Sequence, residues 1–285
     1  MPTENAKNIS NMVDQILCDD SQTHERLQSI GNLLESMQEL ELAKAVQMRL
    51  IDLAQETNMA GRLARLAKIY EKQGKIYDAE PVLKRAISLR EKLCDTSTEA
   101  IASREHLASL YVDQGKYEDA EKLFVSCLEQ RKACSGDSLS PSRAASLQGL
   151  GKLLLAKEQF QEAESQLRQA LSLQQELSDG PSKDVAISLS LELIAACARK
   201  LGRNEEALAV YQEVLEIRHR AHGKEHPDVA TTLREIAFTV SKLGDYAKAE
   251  KLYGEALHLY DRFFAGDHPE TTMLKRQLSF CRSMR

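Results

Sequence analysis

Three histidines stand close together in the stretch RHRAHGKEH: His219, His222 and His226. Imidazoles gathered in this way are the usual beginning of a zinc site. His219 and His222 lie about one helical turn apart, whereas His226 falls past Gly223 in a joining loop, and no carboxylate or cysteine completes a ligand set. Solvation of a helix end and compensation of its dipole account for the cluster more simply, so no metal and no cofactor are expected. GLGK, from Gly149 to Lys152, resembles the start of a phosphate loop. It lacks the Gly-Lys-Ser/Thr that should follow four residues later, and it sits inside a stretch that reads as helix. No Ser/His/Asp or Cys/His set can be assembled from spacing, and the chain is expected not to be an enzyme.

Composition narrows the alternatives. The 285 residues carry 38 basic and 43 acidic side chains, a net charge of −5, which speaks against general binding to nucleic acid or to an anionic membrane. Tryptophan is absent and aromatics make up 5%, too few for base-stacking platforms. With 42% hydrophobic residues the chain can bury a core, yet no apolar run approaches the ~18 residues that a membrane helix needs. MPTENAKNIS has no secretory apolar region, so a cytoplasmic protein is expected. The six cysteines, Cys18, Cys94, Cys127, Cys134, Cys197 and Cys281, form no C-x-x-C pair, and several fill apolar helical slots. They read as reduced core residues.

The elements that carry these residues are set by a repeat. Ala43, Ala79, Ala120, Ala163, Ala207 and Ala249 mark six copies, 36 to 44 residues apart, and each is preceded twelve residues earlier by Gly31, Ala67, Ala108, Gly151, Ala195 or Ala237. A fixed interval within each copy and a variable one between copies indicates a rigid hairpin joined by adjustable loops. Leu63, Leu66, Ala67 and Tyr70 recur at helical spacing in the first segment, as do Ala79, Leu83, Ala86 and Ile87 in the second. Small residues at the crossing let two helices approach to the close end of the ~8–10 Å range, with Tyr70, Tyr111, Leu83, Phe124, Tyr211 and Tyr253 as bulky partners. Gly74, Gly115, Gly202 and Gly244 suit a left-handed residue at the turn. Glu158 and Gln38 replace that glycine in the fourth and first copies, so those turns are expected to be less tight. Pro141, Pro181, Pro227 and Pro269 should open first helices, with neighbouring Ser or Asp as caps. Gln47 takes an apolar slot and makes the first copy the weakest match.

These hairpins resemble tetratricopeptide repeats. Leu107, Ala108, Tyr111, Gly115, Tyr117, Ala120 and Glu121 carry the signature, and GKEHPDVATTL with AEPVLKRAISLREK is similar to the kinesin light chain subtype. The resemblance implies an all-α, right-handed α-solenoid of about six helix-turn-helix repeats over residues 22–268. An amphipathic N-terminal capping helix, partly disordered, is expected at 1–21, centred on Ile9–Leu17, and a C-terminal capping helix at 269–285. It also implies a non-catalytic scaffold or adaptor that binds a protein or peptide segment, acidic in character, in a concave groove lined by the first helices. Asn32, Lys68, Lys72, Glu105, Lys152, Arg199, Lys200, Arg234, Phe238 and Lys242 are the groove positions. Arg199, Lys200, Arg234 and Lys242 with Phe238 would form a basic wall with one apolar anchor. The light chains' paired asparagines are replaced here, by Glu105-His106 and Arg234-Glu235 among others, so such a groove reads different ligands. Nor does any copy show the lysine–asparagine pair that binds chaperone tails. The alternative is self-association through the N-terminal helix.

Overall fold

The computed structural model describes residues 24–36, 39–52, 54, 56–93, 97–135, 141–176, 181–263 and 269–284. Over these residues the fold is all-α, with thirteen helices and no strand. They are α1 (His24–Ser36), α2 (Leu40–Asp52), α3 (Glu56–Lys72), α4 (Ile76–Lys92), α5 (Thr98–Asp113), α6 (Tyr117–Ser135), α7 (Pro141–Ala156), α8 (Phe160–Glu176), α9 (Pro181–Lys200), α10 (Asn204–His222), α11 (Pro227–Lys242), α12 (Tyr246–Phe263) and α13 (Pro269–Ser283). Odd-numbered helices are the first members of hairpins and even-numbered ones the second. In two compact units, residues 1–131 and 132–285, successive helices pack on one another from α1 to α5 and from α7 to α13, and α6 meets α5 through the Arg131–Glu105 pair. The Ile9–Leu17 helix and the turn at Gln38 lie outside the described residues.

All twelve register residues are buried, which is what close crossing requires. At Gly151 the constraint is severe: a Cβ there would sit 2.6 Å from Leu167 Cγ, itself fully buried. At Gly31 a Cβ would meet only Val46 Cγ1, at an ordinary 3.5 Å. Leu83, Phe124, Tyr211 and Tyr253 fill the space around the crossings. In the first hairpin Gln47 is buried instead, and its Nε2 donates to the Arg62 carbonyl at 3.1 Å. That hydrogen bond offsets the cost of placing an amide in an apolar slot.

The turns share one geometry. Gly74, Gly115, Gly202 and Gly244 have φ between 73° and 89°, and the following amide donates back to a carbonyl five residues earlier, as from Lys75 to Tyr70 at 2.8 Å. Glu158 does the same, with φ 61° and a Gln159–Leu154 bond of 2.9 Å, so the fourth turn is as tight as the others, contrary to expectation. Its side chain makes that conformation cost about 1–2 kcal/mol.

Helices α7, α9, α11 and α13 begin at the expected prolines. Of the caps, Ser97 Oγ accepts from the Ala100 amide, but α11 is capped by a histidine: His226 Nδ1 accepts from the Asp228 amide at 3.2 Å. Cys127, Cys197 and Cys281 are free and buried, as expected of core thiols. Burial pushes the Cys127 and Cys197 thiols up to about 11, so they stay protonated and unreactive.

Candidate functional site

The register alanine is followed by glutamate in four of the six copies, and the two residues have separate physical uses. Alanine permits the crossing, and at Glu80 and Glu164 the glutamate reaches the turn of the next hairpin, as Glu41 does from two residues before Ala43. Glu41 pairs with Lys75 at 2.9 Å, Glu80 with Lys116 at 2.9 Å, and Glu164 with Arg203, each basic residue directly following a turn glycine. Hydrogen bonds from Lys84 and then Lys116 hold Glu80 at about 2 against the opposing effect of burial. At Glu164 burial pushes the carboxyl up, but Arg203 and Arg168 outweigh it and leave it lowered.

A second set of pairs is buried between the two helices of a hairpin. Arg131 on α6 grips Glu105 on α5 through two bonds of 3.0 and 2.7 Å, and Arg218 on α10 grips Glu192 on α9 at 2.7 and 3.4 Å. The two pairs occupy the same register, 26 residues apart in each case. The fourth copy carries Gln148 and Gln174 there, bridged by Ser190 at 2.7 and 2.9 Å. Arg218 also donates to Asp228 O at 3.0 Å and Thr232 Oγ1 at 2.6 Å, so one guanidinium joins α9, α10 and α11.

These pairs revise the expected groove. Glu105 is not an exposed ligand position, since Arg131 occupies it. In the first unit Asn32 is exposed and accepts from Gln28 at 3.1 Å and Arg65 at 2.9 Å, Lys68 is exposed, and Lys72 approaches Glu35 at 3.9 Å. In the second unit Lys152, Lys200 and Lys242 are exposed. Arg199 and Arg234 are not free cations on a wall. Their side chains are 18% exposed; Arg199 donates to Glu235 at 2.9 Å, and Arg234 pairs with Glu235 and Glu270. Opposite charges fell on neighbouring first helices, a complementarity that spacing along the chain does not display. The ladder is largely neutralised, and the basic wall reduces to its lysines.

Phe238 lies under the Arg199 guanidinium at 4.7 Å and near Lys242 at 5.4 Å. Forty-two residues on, α13 repeats the pattern with Arg276, Gln277 and Phe280 in place of Arg234, Glu235 and Phe238. At the same spacing Ser241 takes the place of Arg199. Ser241 turns back to donate to the Phe238 carbonyl at 2.7 Å. The volume that Arg199 fills between α9 and α11 is therefore open between α11 and α13. It forms a pocket of about 360 Å³ lined by Phe238, Lys242, Tyr246, Arg276, Gln277 and Phe280. Tyr246 and Phe280 meet edge to face at 6.1 Å, and Phe280 is 53% exposed. Gln277 Oε1 is buried without a hydrogen-bond partner among the described residues. Lys242 and Arg276 form no ion pair among them either. Sequence reasoning reached Phe238 and Lys242 but missed Arg276, Gln277 and Phe280; the 42-residue echo was the signal for them.

The histidines are arranged differently from expectation too. His222 and His226 stack with ring centroids 4.3 Å apart, and a carboxylate does join them, from Asp228. His219 is not part of that group.

Consecutive helical hairpins with small residues at each crossing define a helical-repeat scaffold. Profiles described as tetratricopeptide repeat match residues 24–57, 59–133, 98–176 and 184–262. The chain belongs to the tetratricopeptide repeat family. Solved structures agree on the fold. The nearly identical TPR-like repeats of a Podosopora anserina kinesin light chain are 23% identical, covering 74% of this chain and 99% of that one with a TM-score of 0.56. BtubC (BKLC) from P. vanneervenii is 18% identical over 77% of this chain and 90% of its own, with a TM-score of 0.61. A chain of the APC/C hetero-tetramer Cut9–Hcn1 reaches a TM-score of 0.68 at 13% identity, covering 96% of this chain and 46% of that one. No curated protein matches the chain.

Proposed function

We propose that the protein is a non-catalytic scaffold that captures an acidic peptide segment of a partner protein on its first-helix face, anchored in the pocket between α11 and α13. The observation that carries this reading is a missing pair: beside the Arg234–Glu270 pair that joins α11 to α13, Ser241 and Gln277 stand where Arg199 and Glu235 close the step before. Where the preceding rung is closed by Arg199 and Glu235, this one offers aromatic walls, two unpaired cations and a buried acceptor. An apolar or aromatic side chain would enter between Phe238, Tyr246 and Phe280. Carboxylates beside it would meet Lys242 and Arg276, and a peptide N–H would satisfy Gln277 Oε1. Lys68, Lys152 and Lys200 would extend the attraction along the first helices of their own units. The net charge of −5 favours a protein partner over nucleic acid or membrane. No helix of the described residues is long and apolar enough to cross a membrane, and three buried free thiols fit a cytoplasmic location.

The test is fluorescence anisotropy with labelled acidic peptides that contain one aromatic residue. Lys242→Glu with Arg276→Glu should weaken binding at least tenfold, and Phe238→Ala by about as much, while helix content is kept. Affinity that is indifferent to all three changes would remove the pocket from the account.

A further inference from the structure

The join between α10 and α11 carries a cluster that peptide capture does not use. The turn through Gly223, φ 81°, brings His222 at the end of α10 back against His226, the cap of α11. Asp228, in the first turn of α11, faces both rings. Its Oδ2 lies 3.8 Å from His222 Nε2 and 3.6 Å from His226 Nδ1, and one ligand atom from each of the three side chains falls within 4.8 Å of the others. We infer that His222, His226 and Asp228 form a three-ligand zinc site, with the fourth position left to water or to a partner's side chain.

Two of the three ligand-atom separations are close to what the ion demands, and the third, between the two imidazoles, lies within 4.8 Å. Zn–N and Zn–O bonds of about 2.0–2.2 Å put tetrahedral ligand atoms roughly 3.4 Å apart. The two edges through Asp228 need to contract by only a few tenths of an ångström. Two imidazoles and one carboxylate are borderline ligands, matched to zinc better than to magnesium or calcium, which take oxygen. The backbone that carries Asp228 is anchored, because Arg218 donates to its main-chain carbonyl at 3.0 Å while gripping Glu192. The site has an opposing cost. In the metal-free chain the Nδ1 lone pair of His226 caps α11, so ligation through Nδ1 displaces the Asp228 amide and the stacked rings must swing apart. The ion would replace a helix cap with a bond from α10 to α11, clamping the fifth hairpin to the sixth.

The experiment titrates the full chain with Zn²⁺ against a chromophoric chelator under reducing conditions, and repeats it with Co²⁺ to read the ligand set by absorption. One ion per chain is expected. His222→Ala and Asp228→Asn, both at surface side chains, should each weaken binding at least about tenfold, while His219→Ala should leave it unchanged. The melting temperature of the wild type, and not of His222→Ala, should rise with added Zn²⁺. Wild-type affinity in His222→Ala and Asp228→Asn would overturn the site, as would the absence of stoichiometric binding. A thiolate-to-cobalt charge-transfer band would place the ion on a cysteine and overturn it equally.

Discussion

At the scale of single residues, what matters is how much space a side chain is allowed. Gly31 and Gly151 occupy the same register position in their hairpins and look interchangeable in the sequence. The contacts separate them: a Cβ at Gly31 meets Val46 at 3.5 Å, and one at Gly151 meets buried Leu167 at 2.6 Å. Gly31→Ala should therefore stabilise by up to about 1 kcal/mol, since alanine is the better helix former. Gly151→Ala should destabilise by about 1–3 kcal/mol through overpacking. Urea denaturation of the two variants checks this, and the same sign for both would contradict it. Glu158 gives the complementary lesson. A residue with a Cβ was expected to loosen its turn, yet φ 61° and the Gln159–Leu154 bond show the turn kept at the residue's expense. Hairpin geometry outweighs the preference of one residue.

At the scale of helices, charge ties elements together that apolar packing alone would leave free to slide. Arg218 is the clearest case, with its side chain 5% exposed and four hydrogen bonds to α9 and α11. Arg218→Ala should cost about 3–5 kcal/mol, because it strands Glu192 in a half-buried position. Combining Arg218→Met with Glu192→Gln should recover a good part of that loss. Thermal melts of the single and double variants measure the difference, and a single change costing no more than an exposed pair, below about 1 kcal/mol, would refute it. The same logic explains why Arg199 and Arg234 failed as a free basic wall. Their partners Glu235 and Glu270 stand on the neighbouring first helix, about ten turns of chain away but adjacent in space.

At the scale of the whole molecule, the glutamates that link successive hairpins make stability depend on pH. Glu80 titrates near 2 in the folded chain against an ordinary 4.5, because Lys84 and Lys116 favour its charged form. A lowered folded pKa means that stability is fully present above about pH 4.5 and is lost as pH falls toward 2. Glu164 acts in the same direction. With half-exposed lysines as partners, the Glu80 contribution is about 1–2 kcal/mol at neutral pH. The melting temperature should fall between pH 5 and pH 2.5, and Glu80→Gln should lower it at pH 7 while flattening that dependence. A Glu80→Gln protein as stable as wild type at pH 7 would mean the link is idle.

The hairpins, their register and their order were legible from residue spacing, because a helix buries one stripe and a close crossing admits only glycine or alanine. Both are local demands, repeated six times, and a repeated local demand leaves a period in the chain. The pairing of charges was not legible. Arg131 with Glu105, Arg199 with Glu235, and Asp228 with its two histidines depend on which side chains packing sets face to face. The open pocket at α13 is of the same kind, since it exists through the absence of an arginine that an adjacent helix supplies elsewhere. Periodicity fixes where a helix turns its apolar side, but a charge is satisfied in three dimensions, and only the tertiary structure decided which cations and acceptors were left over for a partner.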